Sequence, residues 1–212
     1  QRKYPIFNNA YMMTGTHHLY NYLPTKHEKW LTMIKQEIID SGLIIDILNA
    51  KTMEAVFRLL QGCSFLGSFL AYQYTIDMNY SPYINFSEND FVKAGIGAIR
   101  GIKKCFLCYG NKCEDAIWYV KEHFNDLLKR YGYTSFHPLP GHEPTLIDLQ
   151  NCFCETDKYL RAKMPELRIG NVRIKQKYMP HTDPIQFFFP PKWNIVEMYK
   201  YKPIVVPTLF DL

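Results

Sequence analysis

The chain has 212 residues and a formal charge of +5, with 47% hydrophobic and 16% aromatic side chains. This length and composition exclude a disordered chain and are sufficient for a sizeable buried core. No apolar run reaches membrane-spanning length, and no signal peptide opens the sequence, so we expect no membrane association. Because the first residue is Gln1, we expect a piece of a longer protein with further domains.

Hydrophobic periodicity predicts a mainly α-helical chain. In chain order, the predicted helices span 28–39, 52–61, 64–78, 98–106, 114–131 and 145–160. After residue 164 the periodicity fades and seven prolines disfavour helix. We therefore predict a helical core over 1–164 and an irregular, basic, Pro-rich extension over 165–212 that packs on it.

One face of the predicted helix 64–78 carries Phe65, Phe69, Gln73 and Asp77, spaced by four residues. A stripe that begins aromatic and ends with an amide and a carboxylate indicates a face that runs from the core to a cleft. Gln73 is suited to reading a base edge, and Asp77 to acting as a base or stabilising positive charge. The alternative is a surface acid near a helix C-terminus, where its charge is mildly unfavourable.

Next comes a G-x-G turn, formed by Gly95 and Gly97, that runs into the predicted basic helix 98–106 with Gly101 in it. We expect these glycines to adopt positive φ and the helix N-terminus to hold a phosphate, with charge added by Arg100, Lys103 and Lys104. The spacing matches neither the dinucleotide fingerprint nor a P-loop. Residues 87–90 predict a helix start just upstream. The alternative is a plain turn between helices.

Six cysteines are present, and Cys105, Cys108 and Cys113 have a spacing that resembles a metal site. A structural zinc site needs a second ligand pair, and no standard one follows. We therefore expect reduced thiols, no metal and no cofactor, in an intracellular protein. The compartment would be the nucleus in a eukaryote, and the cytoplasm of the host cell for a bacterial or phage protein.

The predicted helix 145–160 starts at Thr145 as N-cap, and its polar residues recur at intervals of three and four. They are Asp148, Asn151, Glu155, Lys158 and Tyr159. One interpretation is a polar face that looks into a cleft. The other is that Asp148 only completes a capping box and that Glu155 and Lys158 form a surface salt bridge.

Positive charge is concentrated near the C-terminus. Residues 158–202 hold ten Lys or Arg side chains against three Asp or Glu, a charge of +7, so the rest of the chain sums to −2. Arg173, Lys175 and Lys177 alternate, which puts them on one side of an extended segment that can follow a phosphate backbone. The alternative is a solvated strand edge.

Four motifs occur in order over residues 60–180: F-x3-Q-x3-D at 69–77 with Phe65 before it, G-x-G-x3-G at 95–101, C-E-x-x-K-Y at 154–159 and K-Q-K-Y at 175–178. Together they resemble the alpha-glutamyl/putrescinyl thymine pyrophosphorylase family, whose helical domain also occurs in 5-hydroxymethyluracil DNA kinases. The resemblance implies a helical bundle related to helix-hairpin-helix DNA glycosylases and work on DNA with modified thymine.

By the same resemblance, Gln73, Asp77, Glu155 and Lys158 form the active-site set, and the three glycines form the phosphate-binding turn. The chain departs from relatives in two respects. It has no nucleotide-kinase P-loop, and Ile99 stands where bifunctional glycosylases carry a lysine.

We therefore expect a DNA-acting enzyme, a transferase or a glycosylase, that modifies or excises a hypermodified pyrimidine. The base is flipped into a pocket between the predicted helices 64–78 and 145–160. Gln73 and Asn151 contact the base, Tyr159 stacks on it, and Asp77 or Glu155 acts on the reacting centre. Two alternatives stay open: a catalytically inactive DNA-binding module of a larger DNA-modification protein, and a protein-interaction domain.

Overall fold

The computed structural model describes residues 6–7, 13–139, 141–170 and 189–195, and within them the chain is helical without any β-strand. The mainly α prediction is thus confirmed. The helices are α1 Lys26–Met33, continued by the π-helical segment Ile34–Asp40, α2 Leu43–Asn49, α3 Met53–Gln61, α4 Ser68–Asn79, α5 Ile96–Cys105, α6 Glu114–Glu122, α7 Phe124–Arg130 and α8 Leu146–Lys163. Single 3-10 turns span His18–Tyr20, Pro165–Leu167 and Pro191–Trp193.

Three helices begin at threonine caps, of which Thr145 was predicted from the sequence. Thr25 and Glu28 form a capping box at α1, and the Thr52 hydroxyl accepts from the Ala55 N–H at 3.1 Å. At α8, the backbone N–H and the hydroxyl of Thr145 donate to the Asp148 carboxylate at 2.8 and 2.9 Å. The predicted capping role of Asp148 is confirmed.

Helix α4 begins four residues later than predicted. Phe65 has a φ of 65°, which no helix tolerates, and its buried ring stacks on Trp30 with centroids 5.2 Å apart. Phe65 therefore belongs to the core ahead of α4, and the predicted stripe is reduced to Phe69, Gln73 and Asp77.

Two further boundaries differ from prediction. Residues 87–90 form a turn closed by the Asp90 N–H on the Ser87 carbonyl at 3.2 Å, so no helix starts there. The predicted helix 114–131 divides at His123, whose ring Nδ1 and backbone N both lie about 3 Å from the Tyr119 carbonyl oxygen. The ring competes for the acceptor that continues the helix, and the chain bends.

Helices α5 and α8 form the most extensive helix pair, and two glycines of α5 bring their backbones together. A Cβ on Gly97 would lie 2.4 Å from the Cys154 Sγ, and one on Gly101 only 2.0 Å from the Phe153 carbonyl oxygen. Neither glycine has positive φ, and Gly95 has a φ of −73°. The positive-φ prediction was therefore wrong, because Gly97 and Gly101 lie inside the helix and allow close packing.

A buried ion cluster closes the other end of this helix pair. The Lys104 Nζ lies 2.7 Å from the Asp157 Oδ1, and the Arg161 Nε lies 3.2 Å from the Asp157 Oδ2. The Lys104 and Asp157 side chains are each 2% exposed. Lys104 is thus held inside the α5–α8 interface. We had expected this side chain to add positive charge at the surface, and its burial prevents that.

Residues 189–195 pack on the helical core. The Lys192 ammonium donates to the carbonyls of Asn79 and Phe86 at 3.0 and 3.1 Å, next to the C-terminal end of α4. The Trp193 indole N–H donates to the buried Glu88 at 2.8 Å, and its ring stacks on His142 with centroids 3.6 Å apart. Burial lowers the pKa of Lys192.

Arg173, Lys175 and Lys177 lie outside the described residues, and the boundary at 164 stays a prediction.

Of the helices in the described part of the chain, none combines the length and the apolar character needed to cross a membrane.

We expect Gly101→Ala to destabilise the fold by at least about 2 kcal/mol, because the added methyl meets rigid backbone of α8. Alanine is intrinsically more favourable than glycine in a helix by about 1 kcal/mol, and this gain offsets only part of the destabilisation. Urea unfolding measures it, with Gly15→Ala as control, since a Cβ there meets only flexible Lys26 atoms at 3.5 Å. Unfolding of Gly101→Ala at the wild-type urea concentration would contradict the close contact.

Candidate functional site

The polar end of the α4 stripe opens on a cavity of about 240 Å³. Gln73 and Asp77 line it together with apolar side chains from α4 and from the N-terminal residues, namely Ile6, Phe7, Met13, Leu70 and the ring of Tyr74. Neither Gln73 nor Asp77 has a hydrogen-bond or ion-pair partner among the described residues. An amide and a carboxylate are therefore available to a ligand in a mainly apolar cavity.

Asp77 is the acid of this cavity, and its surroundings change its chemistry. Desolvation by the neighbouring side chains raises its pKa, although the residue still reaches solvent at the cavity rim. The adjacent Tyr74 has its pKa raised by burial and by the Asp77 charge. A carboxylate without a donor and with a raised pKa is suited to accepting a proton or a hydrogen bond from a ligand.

The aromatic end of the same stripe touches the start of α5. A Cβ on Gly95 would lie 3.1 Å from the Phe69 ring and 3.3 Å from the Gln150 amide nitrogen. Gly95 is the N-cap of α5 and provides no capping side chain, so the first N–H groups of α5 lack helical acceptors. Gln150 is 2% exposed, and its Oε1 has no hydrogen-bond partner.

This helix start has the properties of an anion site. Its free N–H groups and dipole favour a negative ligand, and the adjacent Ile96 side chain is 67% exposed. Arg100 is half-buried and Lys103 exposed on the same helix. From Phe69 to Asp77 the chain rises about 12 Å along α4, so this helix connects the start of α5 with the cavity.

The predicted residues of α8 lie elsewhere. Glu155 and Lys158 form an exposed pair at 2.5 Å, which raises the pKa of Lys158, and Asn151 and Tyr159 are exposed. No α8 side chain lines the cavity of Gln73 and Asp77. This cavity lies between α4 and the N-terminal residues, and the pocket expected between α4 and α8 stays a prediction. The functional roles of these α8 residues stay predictions.

Sequence reasoning missed Gln150, Tyr74 and the N-terminal residues of the cavity. Gln150 lies within an apolar turn of α8, and only the packing against Gly95 brings its amide to the start of α5.

Among the described residues, no group of three or more His, Cys, Asp or Glu is arranged to hold a metal.

Comparison with known proteins gives one match. Residues 1–169 match the model of a family described as "5-hmdU DNA kinase, helical domain". No curated protein and no solved structure matches the chain.

We expect Asp77→Asn to be more stable than the wild type near neutral pH. Because the folded state raises the pKa of Asp77, it binds that proton more tightly than the unfolded chain does. Wild-type stability therefore falls as pH rises from the ordinary Asp pKa through the raised one, and the penalty persists above it. The advantage of the variant should shrink as pH falls toward about 4.

Urea unfolding at a series of pH values measures this difference. Asp90→Asn makes the same change of charge at an exposed residue outside any helix, and it separates the local effect from that of net charge. An Asp77→Asn protein that is less stable than the wild type at neutral pH would show that the carboxylate is stabilised, contrary to the burial argument.

Proposed function

We propose a function from the premise that the chain belongs to the 5-hmdU DNA kinase helical-domain family. The function is to bind DNA that carries a modified pyrimidine and to act on that base. The observation that carries the proposal is the α4 stripe, which connects the uncapped start of α5 with the cavity of Gln73 and Asp77.

In this proposal a DNA phosphate binds the N–H groups at the start of α5. Ile96 and Phe69 offer exposed apolar surface beside it, and Arg100 adds positive charge from the same helix. Gly97 and Gly101 contribute by setting the position of α5 against α8. The exposed Asn151, Lys158 and Tyr159 belong to the helix that packs on α5, and we assign them to contacts with the DNA strand.

The modified base enters the cavity, which requires it to leave the base stack. The Gln73 amide offers both a donor and an acceptor to the pyrimidine edge. Asp77 accepts a proton or a hydrogen bond from the base or its substituent, and its raised pKa brings it closer to the working pH of a general base. Kinase activity is not proposed, because these 212 residues contain no P-loop sequence.

A second candidate function is that of a catalytically inactive DNA-binding module. It is favoured by the state of the other predicted acids: Asp148 is occupied by its capping box, and Glu155 pairs with Lys158 at the surface. Of the four predicted catalytic residues, Asp77 is the one that lines the cavity of Gln73.

We expect Ile96→Glu to weaken DNA binding about tenfold, equal to about 1.4 kcal/mol. The new carboxylate repels a phosphate at the start of α5, while it interacts favourably with the helix dipole and preserves the fold. Fluorescence anisotropy with 5-hydroxymethyluracil DNA measures it, at two salt concentrations because phosphate contacts weaken with salt.

The matched control is Leu107→Glu, which adds the same charge to a fully exposed residue beyond the C-terminus of α5. It lies well over a Debye length of about 10 Å from Ile96, so it should leave the affinity nearly unchanged. Equal losses in the two variants would indicate a general charge effect and remove the support for a phosphate site.

We expect Asp77→Asn to abolish product formation while DNA affinity stays within about twofold, because the change removes the acceptor charge but keeps the shape. The substrates are duplex and single-stranded DNA that carry thymine, 5-hydroxymethyluracil or glycosylated pyrimidines, and mass spectrometry detects altered nucleosides or free bases. Glu155→Gln is the comparison variant. Salt-sensitive binding without product from any substrate would support the inactive module.

A further inference from the structure

A second cavity lies on the other side of Tyr74 and Asp77. Its volume is about 350 Å³, at the lower end of the range for cavities that take small molecules. Eight apolar side chains from α1, the π-helical segment and α2 to α4 form its walls, among them Trp30, Ile34 and Leu60. The polar groups at this cavity are those of Tyr74 and Asp77.

The walls of this cavity are firmly held. Trp30 and Leu60 are core residues, 4% and 2% exposed. In the π-helical segment, Glu37 accepts from the Tyr20 hydroxyl and from the Ser64 backbone N–H, both at 2.6 Å. Because π-helical turns are uncommon and occur frequently at functional sites, this wall is a second sign of a ligand site.

Charge defines what such a ligand must be. No Lys, Arg or His side chain lines the cavity, whereas the solvent-exposed Asp77 lies at its rim and has no hydrogen-bond or ion-pair partner in the described part of the chain. An anion would face a like charge at the rim, and a purely apolar molecule would gain no hydrogen bond from the carboxylate. The complementary ligand has an apolar body and one hydrogen-bond donor.

We propose that this cavity binds a small, mainly apolar molecule that carries a single hydroxyl or ammonium group, which donates a hydrogen bond to Asp77. The inference shares Asp77 with the proposed function but needs no DNA. A molecule bound there lies next to the cavity of Gln73, with only Tyr74 and Asp77 between the two.

Three probes of similar size test the proposal in the absence of DNA: benzyl alcohol, benzylamine and benzoate. Methyl NMR of methionine reports where each probe binds, because Met33 and Met78 line the second cavity and Met13 lines the first. We expect the alcohol and the amine to shift the signals of Met33 and Met78, with benzoate binding at least about tenfold more weakly.

Two variants locate the interaction. Asp77→Leu should remove the preference for the donor-bearing probes over benzoate. Ile34→Trp adds bulk at the partly exposed wall residue and should abolish binding of all three, whereas Ile39→Trp, on the same π-helical segment but outside the cavity lining, should bind as the wild type does.

The proposal is overturned if benzoate binds as tightly as benzylamine, or if Ile34→Trp keeps wild-type affinity for the probes. Its failure and that of the proposed function are distinguishable. Probe binding without DNA binding removes only the proposed function, and DNA binding without any response of Met33 and Met78 to the probes removes only this inference.

Discussion

The backbone contact between α5 and α8 is the constraint on which the rest of the structure depends. Gly101 allows the two helices to approach so closely that a single methyl group would overlap the Phe153 carbonyl. The ion cluster of Lys104, Asp157 and Arg161 is buried at the far end of the pair and resists separation, since breaking a buried pair leaves an uncompensated charge. The start of α5 is thereby fixed relative to α8, and Phe69 of α4 packs on the same point.

In the proposed function Asp77 is the reacting group, and the fold maintains its carboxylate at some cost in stability. The carboxylate lies between two cavities, has no donor among the described residues, and has its pKa raised by desolvation. A structural role would favour a hydrogen-bonded or apolar residue at this position. The elements around Asp77 are held in place by hydrogen bonds. Lys192 donates to the C-terminal end of α4, and Glu37, in the π-helical segment that lines the second cavity, accepts from Ser64.

The sequence was sufficient to predict features that depend on local interactions. The helical periodicity, the cap of Thr145 with Asp148 and the pair of Glu155 with Lys158 involve residues at most four apart. Phe65 was wrongly placed in the helix because it lies four residues before Phe69. That spacing fits a helical residue and also a core residue that precedes the helix. The glycines were misassigned because a turn glycine and a packing glycine look alike until the partner helix is known.

Long-range contacts were not predictable in the same way. Lys104 and Asp157 are 53 residues apart, and no pattern in either segment indicates that one neutralises the other. The cavity of Gln73 required the N-terminal residues Ile6 and Phe7, whose own sequence carries no recognisable motif. The motifs did predict the family, because several weak signals in a fixed order are far more specific than any one of them. Three of the four motifs lie within the matched residues 1–169, and the segment 175–178 lies outside them.

The most direct test of the account is NMR of isotope-labelled protein titrated with a short oligonucleotide that contains 5-hydroxymethyluracil. The account predicts that the backbone amides of Ile96 to Ala98 and the side-chain amide of Gln73 shift together and saturate at the same DNA concentration. Thymine in place of the modified base should preserve the shifts at α5 and reduce the shift at Gln73. Saturated binding that leaves both regions unchanged would contradict a site that joins the start of α5 to the cavity through α4.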